Sequence, residues 1–362
     1  MSREAPEKLI ARHEAFLNLE PVSRPLLGFW LGGYYPAEQF PNGAALWRDG
    51  QPLQPQDVSF RPFAADYESL WRLHQDAEDD FFYVGSAYWG IPWMEAVIGC
   101  PVVAAGSNCR AETCLNHLDH LSGLTAELDG NAWFETLMQF TRDLVKAAVG
   151  RFPVCPPLLR GPGDCVSAML GGMQFVMGFF DDPDRIRRLL HHCALTRLAV
   201  IRRLHEVIPP WNGTHAAGGY PSKLWCRRTA AYHQEDSAAL LNPELFKQFL
   251  LPIERDMCGA AEVNFIHLHS SCLYPVDLLL ENLLYDVLEI NIDHPGGSSP
   301  DLPALLPALA KIQSARRPLM LWGELMPGEW NRLRQELSPI GLSLQPILRR
   351  AEDLPALLEV LR

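Results

Sequence analysis

The chain has 362 residues, of which 48% are hydrophobic and 20% are charged, and this composition excludes a wholly disordered protein. Its length permits either two average domains or one large (β/α) barrel. The 31 Lys and Arg residues against 43 Asp and Glu residues give a net charge of -12, which disfavours nucleic-acid binding because the sequence shows no segregated basic patch.

The N-terminus and the apolar windows carry no targeting or membrane signal. The opening residues MSREAPEKLI lack the apolar stretch of a signal peptide. The longest apolar window, Ala168 to Phe180, is interrupted by Gly and Gln and is shorter than the roughly 20 residues that cross a bilayer. Nine cysteines without a CxxC pair indicate thiols that are mostly reduced and buried. We therefore expect a cytoplasmic protein without a membrane partner.

Short apolar runs predict three strands in the N-terminal half, at Leu26 to Leu31, Phe81 to Val84 and Val154 to Leu159. Two intervening segments, Pro36 to Gln75 and Cys100 to Asn131, do not continue this pattern. The first is rich in aromatics and prolines. Both are expected to be additions to the main fold.

Two helix starts stand out in the middle of the chain. Asp182-Pro183-Asp184 combines an N-cap residue with proline at the first helical position, and apolar residues then recur with helical spacing up to Ile208. Asn242-Pro243 opens a second helix in the same way. Both predictions rest on local capping chemistry.

The C-terminal third alternates strands with helices. The predicted strands are Val263 to His267, Asp286 to Ile292, Pro318 to Trp322 and Ile340 to Leu344. The helices that follow them are Pro275 to Leu284, Asp301 to Ala315, Gly328 to Leu337 and Glu352 to Leu361. Successive β-then-α units imply a parallel sheet with right-handed crossovers.

Together with the upstream runs, these strands approach the eight of a TIM barrel. A doubly wound sheet would show a glycine-rich phosphate loop after its first strand, and Gly161-Pro162-Gly163 does not fit that loop. The predicted fold class is therefore α/β, a (β/α)8 TIM barrel with N-terminal additions. We expect residues 1–362 to form one barrel domain, with residues 1–80 partly an N-terminal extension.

In such a barrel the functional groups gather where the strands end. His267 and His269 end one predicted strand and, being two residues apart, lie on the same face of it. Asp293 ends the next strand. Two imidazoles and a carboxylate satisfy the usual requirement of a divalent transition metal, and Cys272 is a further potential ligand. The alternative is that the two histidines only form hydrogen bonds in the barrel mouth.

Three further residues are candidates for the substrate pocket. Glu95 lies among aromatics and glycines, where an ionised carboxylate is disfavoured, which suits proton transfer or contact with a cationic substrate. The alternative is that it faces solvent or caps a helix. His215 lies in the glycine-containing loop from Trp211 to Tyr220, whose composition is typical of a rim loop. Glu324 follows the strand that ends at Trp322.

The middle and C-terminal parts of the chain resemble the uroporphyrinogen decarboxylase superfamily. The resemblance rests on Gly161-Pro162, Gly171, the Asp181-Asp182-Pro183 helix start, the run from Asp236 through Asn242-Pro243 to Pro252, and the strand ending in His267. It runs from about residue 80 to the C-terminus. It implies a (β/α)8 barrel, in agreement with the independent count of βα units.

The resemblance implies two chemistries, which the residues distinguish. True uroporphyrinogen decarboxylases have early arginines that bind substrate carboxylates, and the corresponding strand here, Leu26 to Tyr34, has none. An octacarboxylate bound without its cations would leave buried anions unpaired. The chain is more similar to the methylcobamide:coenzyme M type methyltransferases, whose zinc is held by a His-x-Cys strand end, a carboxylate and a late cysteine.

In this chain His267 matches the histidine position of that pattern, His269 matches the position of the first cysteine, and Asp293 matches the position of the carboxylate. Ser343 replaces the last cysteine. Exchanging thiolates for an imidazole and a hydroxyl makes the site harder, which favours oxygen ligands over a thiol. The identity of the metal, the methyl donor and acceptor, the oligomeric state and the effect of Ser343 on activity stay open at this point.

The sequence therefore predicts a metal-dependent methyltransferase that moves a methyl group between a corrinoid and a small molecule. His267, His269 and Asp293 would bind a divalent metal, with zinc the metal that the resemblance implies, and Glu95, His215 and Glu324 would line the pocket. The corrinoid would be carried by a separate protein, since the chain lacks an Asp-x-His-x-x-Gly motif. The alternatives are a lyase that decarboxylates a non-porphyrin carboxylate, with a histidine as general acid, and a non-catalytic relative.

Overall fold

The structure of the protein is a computed structural model. It describes residues 5–33, 35–75, 77, 79–106, 108–115, 127–218, 224–293 and 301–361. All six predicted site residues fall within these ranges. The last two residues of the predicted rim loop from Trp211 to Tyr220 and residues 116–126 of the second predicted addition lie outside them.

The helices of the described residues cover most of the segments that the capping signals predicted. They are α1 (Pro6–Leu17), α2 (Pro36–Gln39), α3 (Pro41–Ala44), α4 (Ala64–Gln75), α5 (Trp93–Val97), α6 (Ala132–Ala148), α7 (Pro162–Leu170), α8 (Gly172–Asp181), α9 (Pro183–Val207), α10 (Pro243–Leu245), α11 (Leu251–Met257), α12 (Tyr274–Glu281), α13 (Leu302–Ser314), α14 (Pro327–Glu336) and α15 (Leu354–Leu361). Short 3-10 turns cover Pro55–Asp57, Arg61–Phe63, Asp236–Leu240 and Ala351–Asp353, and a π-helical turn, Phe246–Leu250, joins α10 to α11.

The predicted helix starts are confirmed. The side chain of Asp182 accepts a hydrogen bond from the backbone N–H of Arg185 at the start of α9. Asn242 caps α10 in the same way through the N–H of Leu245. Within the described ranges, no helix has both the length and the apolar character needed to traverse a bilayer.

A parallel sheet forms the centre of the molecule. The strands are β1 (Leu26–Leu27), β2 (Trp30–Leu31), β3 (Pro52–Leu53), β4 (Val102–Ala105), β5 (Asn108–Ala111), β6 (His215–Ala217), β7 (Leu224–Cys226), β8 (Ala230–Gln234), β9 (Val263–His269), β10 (Val287–Ile292), β11 (Leu319–Gly323) and β12 (Leu342–Leu348). Seven of them form this sheet in the order β1-β12-β11-β10-β9-β8, with β2 also paired to β12. The fold is α/β, and α12, α13 and α14 connect successive parallel strands as predicted.

The closed eight-stranded ladder that the sequence predicts is not detected in the described part of the chain. Residues 81–84 and 155–159 form no strand, and one parallel bridge, between Gly85 and Val154, joins their two segments. These segments nevertheless approach the edges of the sheet, because Asp80 N–H donates to the Leu27 carbonyl and Arg197 contacts both Leu159 and Tyr232. The arrangement is compatible with a TIM-barrel-like fold.

Two local features explain the missing ladders. Pro156 and Pro157 have no backbone N–H to donate to a neighbouring strand. On the other side, the carboxylates of Asp80 and Asp79 accept the N–H groups of Leu27 and Phe29, at 2.8 and 3.0 Å. Side-chain carboxylates thus accept hydrogen bonds that the backbone carbonyls of a neighbouring strand would accept in a regular sheet.

The two predicted additions come together in a separate small sheet. β3 comes from the first addition, β4 and β5 come from the second, and the three strands pair antiparallel. This sheet lies apart from the central parallel strands, as expected for insertions. Residues Leu26–Leu31, by contrast, belong to the central sheet although they fall in the predicted N-terminal extension.

The nine cysteines are all free, and six of them are buried. The expectation of mostly buried thiols is therefore confirmed. Strands β9 to β12 are buried over nearly their whole length, which is typical of a parallel sheet covered by helices. Polar side chains inside such a sheet are costly unless they have partners, so they mark the place to search for a site.

Candidate metal centre

Two neighbouring strands supply alternate polar residues to one face of the sheet. His267 and His269 lie two residues apart at the end of β9, and Glu289 and Asn291 lie two apart on β10. The parallel register places Glu289 beside His267 and Asn291 beside His269. Because side chains alternate along a strand, the four groups converge on the same face.

Each imidazole is held by a carboxylate through its Nδ1 atom. Nδ1 of His267 lies 2.6 Å from Oε2 of Glu289, and Nδ1 of His269 lies 2.7 Å from Oδ1 of Asp293. An ionised carboxylate only accepts hydrogen bonds, so Nδ1 carries the proton in each ring. This assignment leaves the lone pair of each neutral ring on Nε2.

The two Nε2 atoms face each other 3.1 Å apart. A third acceptor joins them, because Oδ1 of Asp236 lies 3.6 Å from Nε2 of His269. One potential ligand atom from each of Asp236, His267 and His269 lies within 4.8 Å of the others, which makes these residues a group able to hold a metal ion. Three acceptors that converge without a donor between them require a cation, either a metal ion or a proton.

The electrostatics of the centre agree with this need for a cation. Burial opposes the charged imidazolium, but the hydrogen bond that His269 donates to Asp293 and the charge of Asp236 outweigh it and raise the pKa of His269 to about 9. The pKa of Asp293 is lowered: burial opposes this, and the hydrogen bond and charge of His269 outweigh it. The imidazolium form of His269 is therefore favoured at neutral pH while no metal is bound.

Burial raises the pKa of Glu289, while the charge and hydrogen bond of His267 lower it. The carboxyl group is fully buried, and its Oε1 atom has no hydrogen-bond partner among the described residues. A positive charge at the Nε2 atoms would favour its ionised form. The carboxylate and the cation therefore stabilise each other across the ring of His267.

The structure places Asp293 at the histidine pair but outside the group of three potential ligands. It brings Asp293 to the histidine pair, as expected, but the carboxylate lies at Nδ1 of His269, on the far side of the ring from Nε2. Ser271 N–H and Asn291 Nδ2 also donate to it, at 3.2 and 3.1 Å. Asp293 thus orients His269, and Asp236 takes the place predicted for it in the group of potential ligands.

Two other possible ligands lie outside the group of three. The Ser343 hydroxyl is fully buried and accepts a hydrogen bond from Gln345 Nε2 at 3.2 Å. Cys272 follows β9, and burial raises the pKa of its thiol, which disfavours the thiolate that a metal requires. The described donor set is therefore nitrogen and oxygen only.

The three predicted pocket residues lie in different surroundings. Glu95 on α5 is buried, and its Oε1 atom lies 3.3 Å from Nη1 of Arg160. Glu324 follows β11 and forms a two-point ion pair with Arg349, at 2.6 and 3.2 Å. His215 is not brought to the histidine pair. It begins β6 and acts electrostatically on Glu262, which precedes β9 at the end of that strand opposite to His267.

Sequence reasoning missed Asp236 and Glu289 as members of the centre. Asp236 begins a 3-10 turn directly after β8, a strand whose residues AAYHQ contain no long apolar run. Glu289 interrupts the apolar run of β10, and a carboxylate at a buried strand position is a signal that the sequence displays. Glu289 could have been predicted as a site residue from its position within this apolar run.

Comparisons with known proteins support the fold and do not identify a family. No protein-family model matches the chain, and no curated protein matches it. Among solved structures, a methyltransferase from Methanosarcina mazei aligns with a TM-score of 0.64 over 97% of both chains, at 12% sequence identity. A Thermotoga maritima family 1 glycoside hydrolase aligns with a TM-score of 0.34 at 11% identity over 91% of this chain and 88% of its own. The first likeness extends over the whole fold, whereas the second score is too low to indicate a shared one.

Proposed function

We propose that the protein is a metal-dependent methyltransferase that moves a methyl group between a corrinoid, carried by a partner protein, and a small molecule. The observation that carries this proposal is the pair of Nε2 atoms 3.1 Å apart, each on a ring whose Nδ1 is held by a carboxylate. Carboxylate–histidine pairs of this kind are typical of metal ligands. The methyltransferase from Methanosarcina mazei, with its similar fold, supports the choice of reaction.

The donor set fits a divalent transition metal. His267 and His269 would supply nitrogen, and Asp236 would supply oxygen, which is a common ligand combination for zinc. When bound, such a metal acts as a Lewis acid that lowers the pKa of a coordinated nucleophile. Because no thiolate belongs to the group, the site favours a substrate that binds through oxygen or nitrogen.

The residues around the ligands have distinct tasks. Glu289 and Asp293 fix the ring orientation and the tautomer of the two histidines, so that both lone pairs point to one place. Gln234 donates from Nε2 to Oδ2 of Asp236, which fixes that carboxylate. The centre is thus organised before any substrate arrives, and little reorganisation is needed at the moment of reaction.

Metal analysis tests the proposed centre. Protein purified without a histidine tag is expected to bind one divalent ion per chain, and His267→Ala and His269→Ala are expected to bind none. His191→Ala is a matched control, because His191 is exposed on α9, away from the sheet strands. Absence of metal in the wild-type protein after supplementation with zinc, cobalt and manganese salts would contradict the proposal.

A corrinoid assay then tests the reaction. Free methylcobalamin replaces the carrier protein, and candidate acceptors are added under anaerobic conditions. Transfer breaks the cobalt–carbon bond, leaves its electron pair on cobalt and joins the methyl group to the acceptor, so the absorbance of methylcobalamin falls. The His269→Ala variant is expected to lose this change. A metal-loaded protein that shows no transfer with any acceptor, and no spectral response to the corrinoid, would contradict methyl transfer.

One observation favours a second candidate, a decarboxylating lyase. The pKa of His269 is raised to about 9 by Asp293 and Asp236 against the effect of burial, so in a metal-free enzyme its imidazolium would be present at neutral pH. Such a group can donate a proton to the carbon that loses carbon dioxide. Activity in the presence of a chelator distinguishes the two candidates. A metal-free lyase is expected to keep its full activity, whereas the metal-dependent methyltransferase is expected to lose it.

A further inference from the structure

The buried carboxyl group of Glu95 has no hydrogen-bond partner among the described residues, although Arg160 lies next to it. Its side chain is 1% exposed, and neither Oε1 nor Oε2 accepts a hydrogen bond from the residues that the structure describes. An unsatisfied polar group at this depth is destabilising. Such a group is expected to find a further partner, such as a water molecule or a bound ligand.

Arg160 lies next to this carboxyl group and is open to solvent. Nη1 of Arg160 lies 3.3 Å from Oε1 of Glu95, and the arginine side chain is 47% exposed. No described residue accepts a hydrogen bond from its guanidinium group. Glu95 faces one end of the planar fork, so the remaining N–H donors are available to a ligand.

The backbone around Arg160 is fixed beside the metal centre. The carbonyl of Leu159 accepts two hydrogen bonds from the buried Arg197, at 3.1 and 3.2 Å. On the other side, a Cβ atom on Gly161 would lie 2.1 Å from the carbonyl oxygen of Gln234, so the chain passes directly against that residue. Gln234 is two residues before Asp236, and the charge of Asp236 acts on Arg160.

Burial opposes negative charge on two acids near Arg160. Burial raises the pKa of Glu95 against the charge of Arg160, and burial together with Glu235 raises the pKa of Asp164 well above its usual range. Burial thus disfavours the charged form of both carboxyl groups. The N–H donors of the guanidinium that do not face Glu95 are left for a ligand.

We infer that Arg160 and Glu95 form a carboxylate-binding subsite that orients a small carboxylic-acid substrate toward the centre of Asp236, His267 and His269. The guanidinium would bind the substrate carboxylate through two parallel hydrogen bonds, and Glu95 would supply one further polar contact. This inference deepens the proposed function and rests on it for the position of the reacting atom. The binding step itself needs neither metal nor corrinoid.

The test therefore measures binding alone. Full-length protein treated with a chelator is titrated with propionate, and binding is followed by NMR line broadening of the ligand. Propionamide, which has the same shape without the charge, is titrated in parallel. The variants are Arg160→Gln and Arg160→Lys, with Arg202→Gln as the control because Arg202 is an exposed arginine on α9.

The wild-type protein is expected to bind propionate saturably and to prefer it to propionamide. Arg160→Gln should weaken propionate binding at least tenfold, and Arg160→Lys should weaken it less because the point charge remains. Arg202→Gln should bind as the wild type does. Because the protein is treated with a chelator, a failed metal centre leaves this result intact. Equal binding by Arg160→Gln, equal binding of propionamide, or no saturable binding by the wild type would each overturn the inference.

Discussion

Glu289 lies directly beside His267 in the parallel register of β9 and β10, and its Oε2 atom meets Nδ1 of that histidine at 2.6 Å. The carboxyl group is fully buried, so this contact decides the tautomer of the histidine without competition from water. The orientation of the Nε2 lone pair of His267 toward His269 therefore depends on Glu289, which lies on a different strand. The proposed metal centre therefore depends on strand register as much as on its potential ligands.

Replacing Glu289 by Gln should weaken metal binding without removing a ligand. The amide oxygen can still accept from Nδ1, but it carries no charge, and outer-shell changes of this kind typically lower metal affinity by about 10- to 100-fold. Competition with a chromophoric chelator measures the effect. Glu336→Gln serves as the control, since Glu336 is exposed on α14. An unchanged metal affinity in Glu289→Gln would show that the charge of this carboxylate does not contribute to metal binding.

Asp236→Asn and Asp293→Asn distinguish a ligand from a positioning residue. Asp236 belongs to the group that can hold the ion, whereas Asp293 contacts the opposite nitrogen of His269. We expect Asp236→Asn to lower metal affinity by more than about 100-fold and Asp293→Asn by about 10- to 100-fold. The same chelator competition measures both. A larger loss in Asp293→Asn would return the ligand role to Asp293.

The sequence predicted one end of the centre well because local rules determine it. Alternation along β9 places His267 and His269 on one face, and the strand–helix units of the C-terminal third bring the end of β10 beside them. The positions of Asp236 and Arg160 follow from non-local packing, in which Gly161 lies against Gln234. The local sequence around either residue does not predict this long-range contact.

The predicted barrel strands at residues 81–84 and 154–159 failed for a similar reason. Their apolar residues are buried, as an apolar run predicts, but the hydrogen bonds of the neighbouring strands go to the side chains of Asp79, Asp80 and Arg197. The periodicity of apolar residues predicts which side chains are buried, but it does not predict the hydrogen-bond partner of each backbone group. A strand prediction from pattern alone therefore cannot distinguish a ladder from an extended segment fixed by side chains.

His13 should make the protein less stable as the pH falls. Its ring is fully buried, with Nε2 3.0 Å from the carbonyl oxygen of Asp80, and burial lowers its pKa to about 4 despite that hydrogen bond and the charge of Asp80. The unfolded chain, with a histidine pKa near 6.5, binds the proton more readily. The stabilisation is therefore complete above pH 6.5 and is lost progressively as the pH falls toward 4, by about 3 kcal/mol.

Urea unfolding between pH 4 and pH 7 measures this dependence. His13→Gln should lower the free energy of unfolding at pH 7 and flatten its decline toward acid, so the difference from the wild type shrinks as the pH falls. His191→Gln, at an exposed position on α9, should keep the wild-type slope. Parallel pH profiles of His13→Gln and the wild type would show that His13 is not the titrating group.

Arg197 should stabilise the fold at the place where the sheet has no ladder. Arg197 is 1% exposed, and its guanidinium donates to the carbonyls of Leu159 and Tyr232, which belong to the two segments on either side of the gap. Nη1 also lies 3.1 Å from Nδ1 of His233. Arg197→Met keeps the approximate length of the side chain but leaves both carbonyls without these donors, so we expect it to lower the free energy of unfolding by about 3–5 kcal/mol.

Arg202→Met is the matched control for this change, because Arg202 lies on the same helix with an exposed side chain. We expect it to alter the free energy of unfolding by less than about 0.5 kcal/mol. Urea unfolding followed by circular dichroism compares the two variants. If Arg197→Met were as stable as Arg202→Met, the segment ending at Leu159 would be anchored by its apolar packing instead. Arg160 would then owe its position to that packing, and the Arg197→Met variant would bind propionate as the wild type does.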